Sequence, residues 1–156
     1  MNIKHMETAL ELAQKSFDMD EVPVGAVVVK NDTVIGWGYN TREHSKNALD
    51  HAEMKAIDMA CKTLGGWRLF DCDLYVTLEP CSMCAGAIIN ARIENVYFGA
   101  YDTKYGACGS VTNLFECNFN HNPIAHPDIM GDESRALLKD FFKQLRERKK
   151  QNKKEL

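Results

Sequence analysis

Two short segments, His51-Ala52-Glu53 and Pro80-Cys81-Ser82-Met83-Cys84, constrain this 156-residue chain more than any other feature. They carry one imidazole and two thiols, donors that zinc takes in catalytic sites, with a carboxylate beside them. For the donors to share a metal, residues 51 and 81 must converge. Residues two apart on a regular helix point roughly 200° away from each other, so His51 and Glu53 share a site only in a helix's first turn. Asp50 offers an N-cap that places them there. Pro80 suits the first position of a following helix, and Cys81 and Cys84, three apart, fall on one face of its first turn. The pattern predicts two helix N-termini facing one metal. Three donors leave a fourth position open; zinc lowers the pKa of a water held there from ~15.7 to about 7. Glu53 is the adjacent proton carrier.

The rest of the chain supplies elements that bring these segments together. Met6, Ala9, Leu10, Ala13 and Phe17 predict an amphipathic helix ending near Asp18-Met19-Asp20. Val22–Val29 is a β-branched run that suits a buried strand. Lys30-Asn31-Asp32 turns it into Thr33–Tyr39, making a hairpin. A polar loop from Asn40 to Leu49 precedes a helix from about His51 to Leu64, stopped by Gly65-Gly66. Strand Asp73–Leu78, helix Met83–Ala91 and strand Glu94–Ala100 follow, an order that gives parallel neighbouring strands covered by helices on both faces. A loop from Tyr101 to Pro127, with a short turn at Val111–Phe115, is long enough to be functional. The last helix, Ser134 to about Lys149, sets Leu137, Leu138, Phe141, Phe142 and Leu145 on one face.

Size predicts one domain over residues 1–156. No window approaches the roughly 18 apolar residues of a membrane span, and the expectation is a soluble cytoplasmic protein without membrane contact. Of the six cysteines, Cys61, Cys72 and Cys108 fall in a helix interior, a strand entrance and a loop, with core or incidental roles. The net charge of −3 hides a polarised chain: residues 139–154 hold eight Lys/Arg against Asp140 and Glu147. That end suits a phosphate backbone, or it is simply a solvated helix.

H-x-E followed by P-C-x-x-C is similar to the pattern of zinc-dependent nucleoside and nucleobase deaminases. The surrounding residues narrow the likeness. Glu21–Ala26, Trp67-Arg68-Leu69, Leu74–Cys81, Met83–Ile88, Gly106–Ser110, Phe119-Asn120-His121 and Leu137–Phe142 resemble the bacterial tRNA adenosine deaminases, over nearly the whole chain. The resemblance implies an α/β fold of the cytidine-deaminase type, three α/β/α layers around a central five-stranded mixed sheet. It implies a homodimer with sites near the interface, one Zn2+ per subunit on His51, Cys81 and Cys84, and Glu53 as proton shuttle. The implied reaction converts the wobble adenosine of an arginine tRNA anticodon to inosine, releasing ammonia. By the same resemblance Asn40 contacts the target nucleoside, and Asp102, Lys104, Asn120, His121, Phe142 and Arg146 contact the anticodon stem-loop. Stacked aromatics and cations are what splayed bases require.

The chain departs from the family pattern at Ala48-Leu49-Asp50, before the histidine, and at Ser82 and Tyr101, which touch the site's rim rather than its chemistry. Two other functions fit the motif: a deaminase of a free base or nucleoside such as guanine or cytidine, and a catalytically silent zinc or RNA-binding protein. Glu53 argues against the silent protein. The basic end and the Asn120-His121 loop argue against a small substrate.

Overall fold

A computed structural model describes residues 1–156. Its elements are helix α1 (Ile3–Asp18), strands β1 (Gly25–Lys30) and β2 (Thr33–Tyr39), helix α2 (Arg42–Ser45), helix α3 (Ala52–Leu64) and strand β3 (Cys72–Leu78). Helix α4 (Ser82–Ala91), strand β4 (Asn95–Ala100), a 3-10 turn (Leu114–Glu116), strand β5 (Ile124–His126) and helix α5 (Gly131–Lys154) complete it. The strands form one sheet in the order β2-β1-β3-β4-β5. β1 pairs antiparallel with β2 and β3, whereas β3–β4 and β4–β5 are parallel. The five-stranded mixed sheet is the one expected.

Pleat alternation sends the strand residues to opposite sides. Ala26, Val28, Leu74, Val76, Val96 and Phe98 join the alanines of α3 and the isoleucines of α4 in one core. Val27, Val29, Tyr75 and Tyr97 meet Met6, Ala9 and Leu12 of α1 in a second core on the other side. There Tyr75 stacks on Tyr97 with ring centroids 4.7 Å apart. α5 packs beside α1, Phe17 meeting Phe141 edge to face at 5.8 Å. α3 lies unusually close to β2: a Cβ on Gly36 would strike the Ala56 carbonyl oxygen and Ala60, and one on Gly38 would meet Ala52. Glycine at these positions lets the helix that begins at the motif settle onto the sheet.

Several boundaries differ from the sequence expectation for physical reasons. The first strand begins at Gly25 rather than Val22, because the carbonyls of Val22 and Val24 accept hydrogen bonds from the side chain and backbone of Asn40 instead of from a strand. The loop from Asn40 to Leu49 contains α2, and the loop from Tyr101 to Pro127 contains β5; a four-residue helix and a three-residue strand carry no periodicity to detect. The expected turn at Val111–Phe115 lies at Leu114–Glu116. α5 runs from Gly131 to Lys154, longer than expected at both ends: Asp132 and Glu133 suit the positive end of a helix dipole in its first turn, and the Lys, Arg and Gln residues at its far end are good helix formers. No helix is long and apolar enough to cross a membrane.

Candidate metal and catalytic site

At the carboxyl end of β3, the first turns of α3 and α4 meet. The cap positions differ from the expectation: His51, not Asp50, is the N-cap of α3, and Cys81 is the N-cap of α4, one residue beyond Pro80. Asp50 is engaged in the preceding loop, its carbonyl accepting from Thr41 N and its carboxylate from Asn47 Nδ2. Both cap residues have extended backbone, with φ/ψ of −84°/153° at His51 and −73°/177° at Cys81. An extended cap frees the side chain from the helical spacing that follows, so His51 and buried Glu53 reach one place although two residues apart. Cys81 is fixed from outside as well, because Ala107 N donates to the Pro80 carbonyl at 2.9 Å.

Nδ1 of His51 stands 3.6 Å from the sulfurs of both Cys81 and Cys84, and the three donor atoms lie within 4.8 Å of one another. Tetrahedral zinc with bonds of ~2.3 Å to sulfur and ~2.0–2.1 Å to nitrogen sets nitrogen and sulfur roughly 3.6 Å apart. The donor set therefore fits such an ion. Without a metal, the hydrogen bond from Cys84 holds the Cys81 thiol down at about 4, and His51 assists. The same bond, with burial, pushes Cys84 up, and the Cys81 contact raises His51 above its ordinary value. A divalent cation bound by these donors would take the place of the shared protons. Glu53 is 4% exposed, and burial pushes its carboxyl up. A carboxyl so placed binds a proton more tightly than an exposed one, as a proton carrier requires.

His51, Glu53 and Cys81 line a cavity of about 780 Å³, with Cys84 buried behind them. One wall comes from Val22, Asn40, Arg42 and Ala48, a second from Tyr101 to Tyr105, and a third from Leu138 and Phe142 of α5. Each loop wall is gripped by a buried carboxylate that the motif does not include. Glu21 accepts from Glu43 N at 2.9 Å and His44 N at 3.1 Å. Glu79 accepts from the backbone of Asp102, Cys108 and Ser110.

Residues 2–146 match the family model of the MafB19-like deaminases. A tRNA-specific adenosine deaminase of Bacillus subtilis is 45% identical over 97% of this chain and 95% of its own. The chain belongs to the tRNA-specific adenosine deaminase family. A solved structure from a study of A-to-I editing by tRNA:A34 deaminases at the wobble position is 42% identical, with a TM-score of 0.85 over 88% of this chain and all of that one. A guanine deaminase of Bacillus subtilis is 31% identical, with a TM-score of 0.61 over 77% of this chain and 88% of that one. The deaminase fold is thus common to acceptors of different size.

Of the residues that the family likeness marks for substrate, the structure brings Asn40, Asp102, Lys104 and Phe142 to the cavity with His51, Glu53 and Cys81. Asn40 already spends its amide, donating to Val22 O and accepting from Arg42 N. Asp102 also shapes its own turn, its carboxylate accepting from Lys104 N and Tyr105 N. Phe141 and Phe142 divide the work: Phe141 is buried, and Phe142 is 40% exposed. Arg146 is exposed one helical turn beyond Phe142. Asn120 is exposed, and His121 bonds the Ile93 carbonyl at 2.6 Å, before the start of β4 and so away from the cavity end of the sheet. Ala48, Ser82 and Tyr101, where the sequence departs from the family pattern, all line the cavity. Arg42, Tyr105, Glu21 and Glu79 escaped the sequence reading; the signal for the two glutamates is a carboxylate set one or two residues before proline at the edge of an apolar run.

Proposed function

We propose that this protein is a zinc-dependent hydrolase that converts the wobble adenosine of a tRNA anticodon, in an arginine tRNA, to inosine and ammonia. The observation that carries the reading is buried Glu53 beside a three-donor group at the floor of a walled cavity. His51, Cys81 and Cys84 would hold zinc, which supplies an activated water there; soft sulfur donors favour zinc over harder ions. Glu53 takes the proton of the attacking water, delivers it to a ring nitrogen of the base, and later protonates the departing amine. Burial supports both halves of that cycle by raising its proton affinity.

Asp102, Lys104, Phe142 and Arg146 are proposed to receive the splayed anticodon loop, with Asn40 closing the wall behind the target nucleoside. Asn120 and His121 are proposed to touch RNA away from the cavity or across a homodimer. Gly86 and Ala87 of α4, half-buried in the single chain, are the face proposed for such a dimer. A tRNA substrate implies work in the cytoplasm.

Incubation of an arginine tRNA followed by sequencing, beside assays on free adenosine, cytidine and guanine, tests the reading. Inosine at the wobble position is expected. Rapid turnover of a free base with unmodified tRNA would overturn it. Glu53→Ala should abolish ammonia release while zinc stays bound; an unchanged rate would remove Glu53 from the chemistry.

A further inference from the structure

We infer that Glu79 is a positioning residue, a buried carboxylate at the edge of the substrate cavity that acts by fixing the 102–110 loop as one of its walls. It stands at the junction of β3 and the Pro80-Cys81 segment, its backbone N donating to the Ala100 carbonyl at 2.8 Å. Its side chain is bonded into the loop. Oε1 accepts from Asp102 N at 3.2 Å and from the Ser110 hydroxyl; Oε2 accepts from Cys108 N and Ser110 N, each at 3.1 Å. These donors are all neutral, and the residue is 2% exposed.

The loop is built around this carboxylate. A Cβ at Gly106 would strike Glu79 Oε2, so only glycine lets the chain wrap so closely there. The bridge between Gly106 and Cys81 then ties the wrapped loop to the cap residue of α4. Asp102, the first residue held, directly follows Tyr101 in the cavity wall; Lys104 and Tyr105 are folded back onto its side chain. Removing the anchor leaves buried N–H groups without acceptors, a cost the loop escapes by opening to water. Loosening at Asp102–Tyr105 misplaces the wall, while the Ala107 N–Pro80 O bond, which does not run through Glu79, still holds Cys81 and leaves the metal donors on α3 and α4 in place. The expected signature is a binding defect rather than a loss of chemistry.

This inference rests on the proposed activity for its kinetic arm, and hydrogen exchange supplies an arm that needs no substrate. Glutamine is the informative replacement. Its NH2, in either orientation, faces a backbone N–H that the carboxylate oxygen now accepts from. In zinc-loaded Glu79→Gln, the amides of Asp102, Cys108 and Ser110 should exchange roughly tenfold faster or more, the factor for about one lost charge-assisted bond. KM for an anticodon stem-loop should rise by a similar factor, with kcat changing less than about threefold and zinc content unchanged. Ser110→Ala should show the same pattern more weakly, and should add little on top of Glu79→Gln, because the two act through one interaction. Unchanged exchange in a folded Glu79→Gln protein overturns the anchor, as do additive effects in the double variant or a defect confined to kcat. If Glu79→Gln fails to fold, Ser110→Ala decides, and unaltered exchange there overturns the inference. Faster exchange together with wild-type protein that makes no inosine refutes the proposed substrate and leaves the anchor standing.

Discussion

Arg148 Nη1 lies 2.7 Å from Asp20 Oδ1, joining the basic end of α5 to the turn after α1 across 128 residues of sequence. Both side chains are substantially exposed, so the pair is worth at most about 1 kcal/mol. Its position matters more than its strength, because it divides the basic end into a docked part and a free part. Lys149, Lys150, Lys153 and Lys154 lie beyond it. A chain ending at Arg148 should keep its melting temperature and lose affinity for the stem-loop. The log–log salt slope should flatten by about 0.7–0.9 for every phosphate contact removed. A chain ending at Glu147 should lose little further stability. Retained affinity with an unchanged slope would show that the free end does not touch RNA.

Tyr101 and Phe142 offer aromatic faces on different walls of the cavity, 51% and 40% exposed. Each is braced edge to face by a buried ring, Tyr101 by Phe98 at 5.4 Å and Phe142 by Phe141 at 5.3 Å. A braced, exposed ring is a ready stacking surface for an unpaired base. Replacement of either by alanine should weaken stem-loop binding by about 1–3 kcal/mol, and Tyr101→Phe should restore it. Equal affinities for the wild type and both alanine variants would show that neither ring stacks on a base.

The convergence of His51, Cys81 and Cys84 was legible because their chemistry and spacing are local, within residues 51–53 and 81–84. Their cap assignments were not. Propensity favours Asp50 as a cap and Pro80 at the first helical position, but the donors themselves take the cap positions, where an extended backbone aims them inward. The loop anchors were still less legible. Glu79 and Ser110 are 31 residues apart, and Glu21 and Glu43 are 22 apart; no short pattern announces a carboxylate that closes on distant backbone amides. β5 also depends on distant pairing, since Ile124-Ala125-His126 becomes a strand only against Asn95-Val96-Tyr97. The hydrophobic runs of β1 and β3, by contrast, carried their own signal.

Gly36 and Gly86 should respond oppositely to alanine. At Gly36 the new methyl meets the Ala56 carbonyl and Ala60, so overpacking should cost roughly 1–3 kcal/mol. It should also lift α3, which carries His51 and Glu53 at its start, and activity should fall further than stability. At Gly86 nothing lies within 4 Å, and alanine in a helix is favoured by about 1 kcal/mol. Gly86→Ala should therefore raise the melting temperature of an isolated subunit. Light scattering on the same variant tests the α4 dimer: weakened association places Gly86 in the interface, and unaltered association excludes it.

Zinc affinity should rise with pH, and the donor set says by how much. Bound zinc requires both thiolates and a neutral imidazole. Cys81, held at about 4, is already a thiolate at neutral pH and releases nothing. Cys84 is pushed up and always surrenders its proton to the metal. His51 is raised above its ordinary value and surrenders one only below that raised pKa. The slope of log Kd against pH should then approach about −2 in mildly acidic solution, easing to about −1 once His51 is neutral. Competition titrations against a chelator of known affinity measure it. His51→Ala, Cys81→Ala and Cys84→Ala should each lose zinc, whereas Cys108→Ala, outside the donor group, should keep a full equivalent. Zinc loss in Cys108→Ala equal to that in Cys84→Ala would replace the open three-donor site with a closed structural one, and the hydrolytic reading with it.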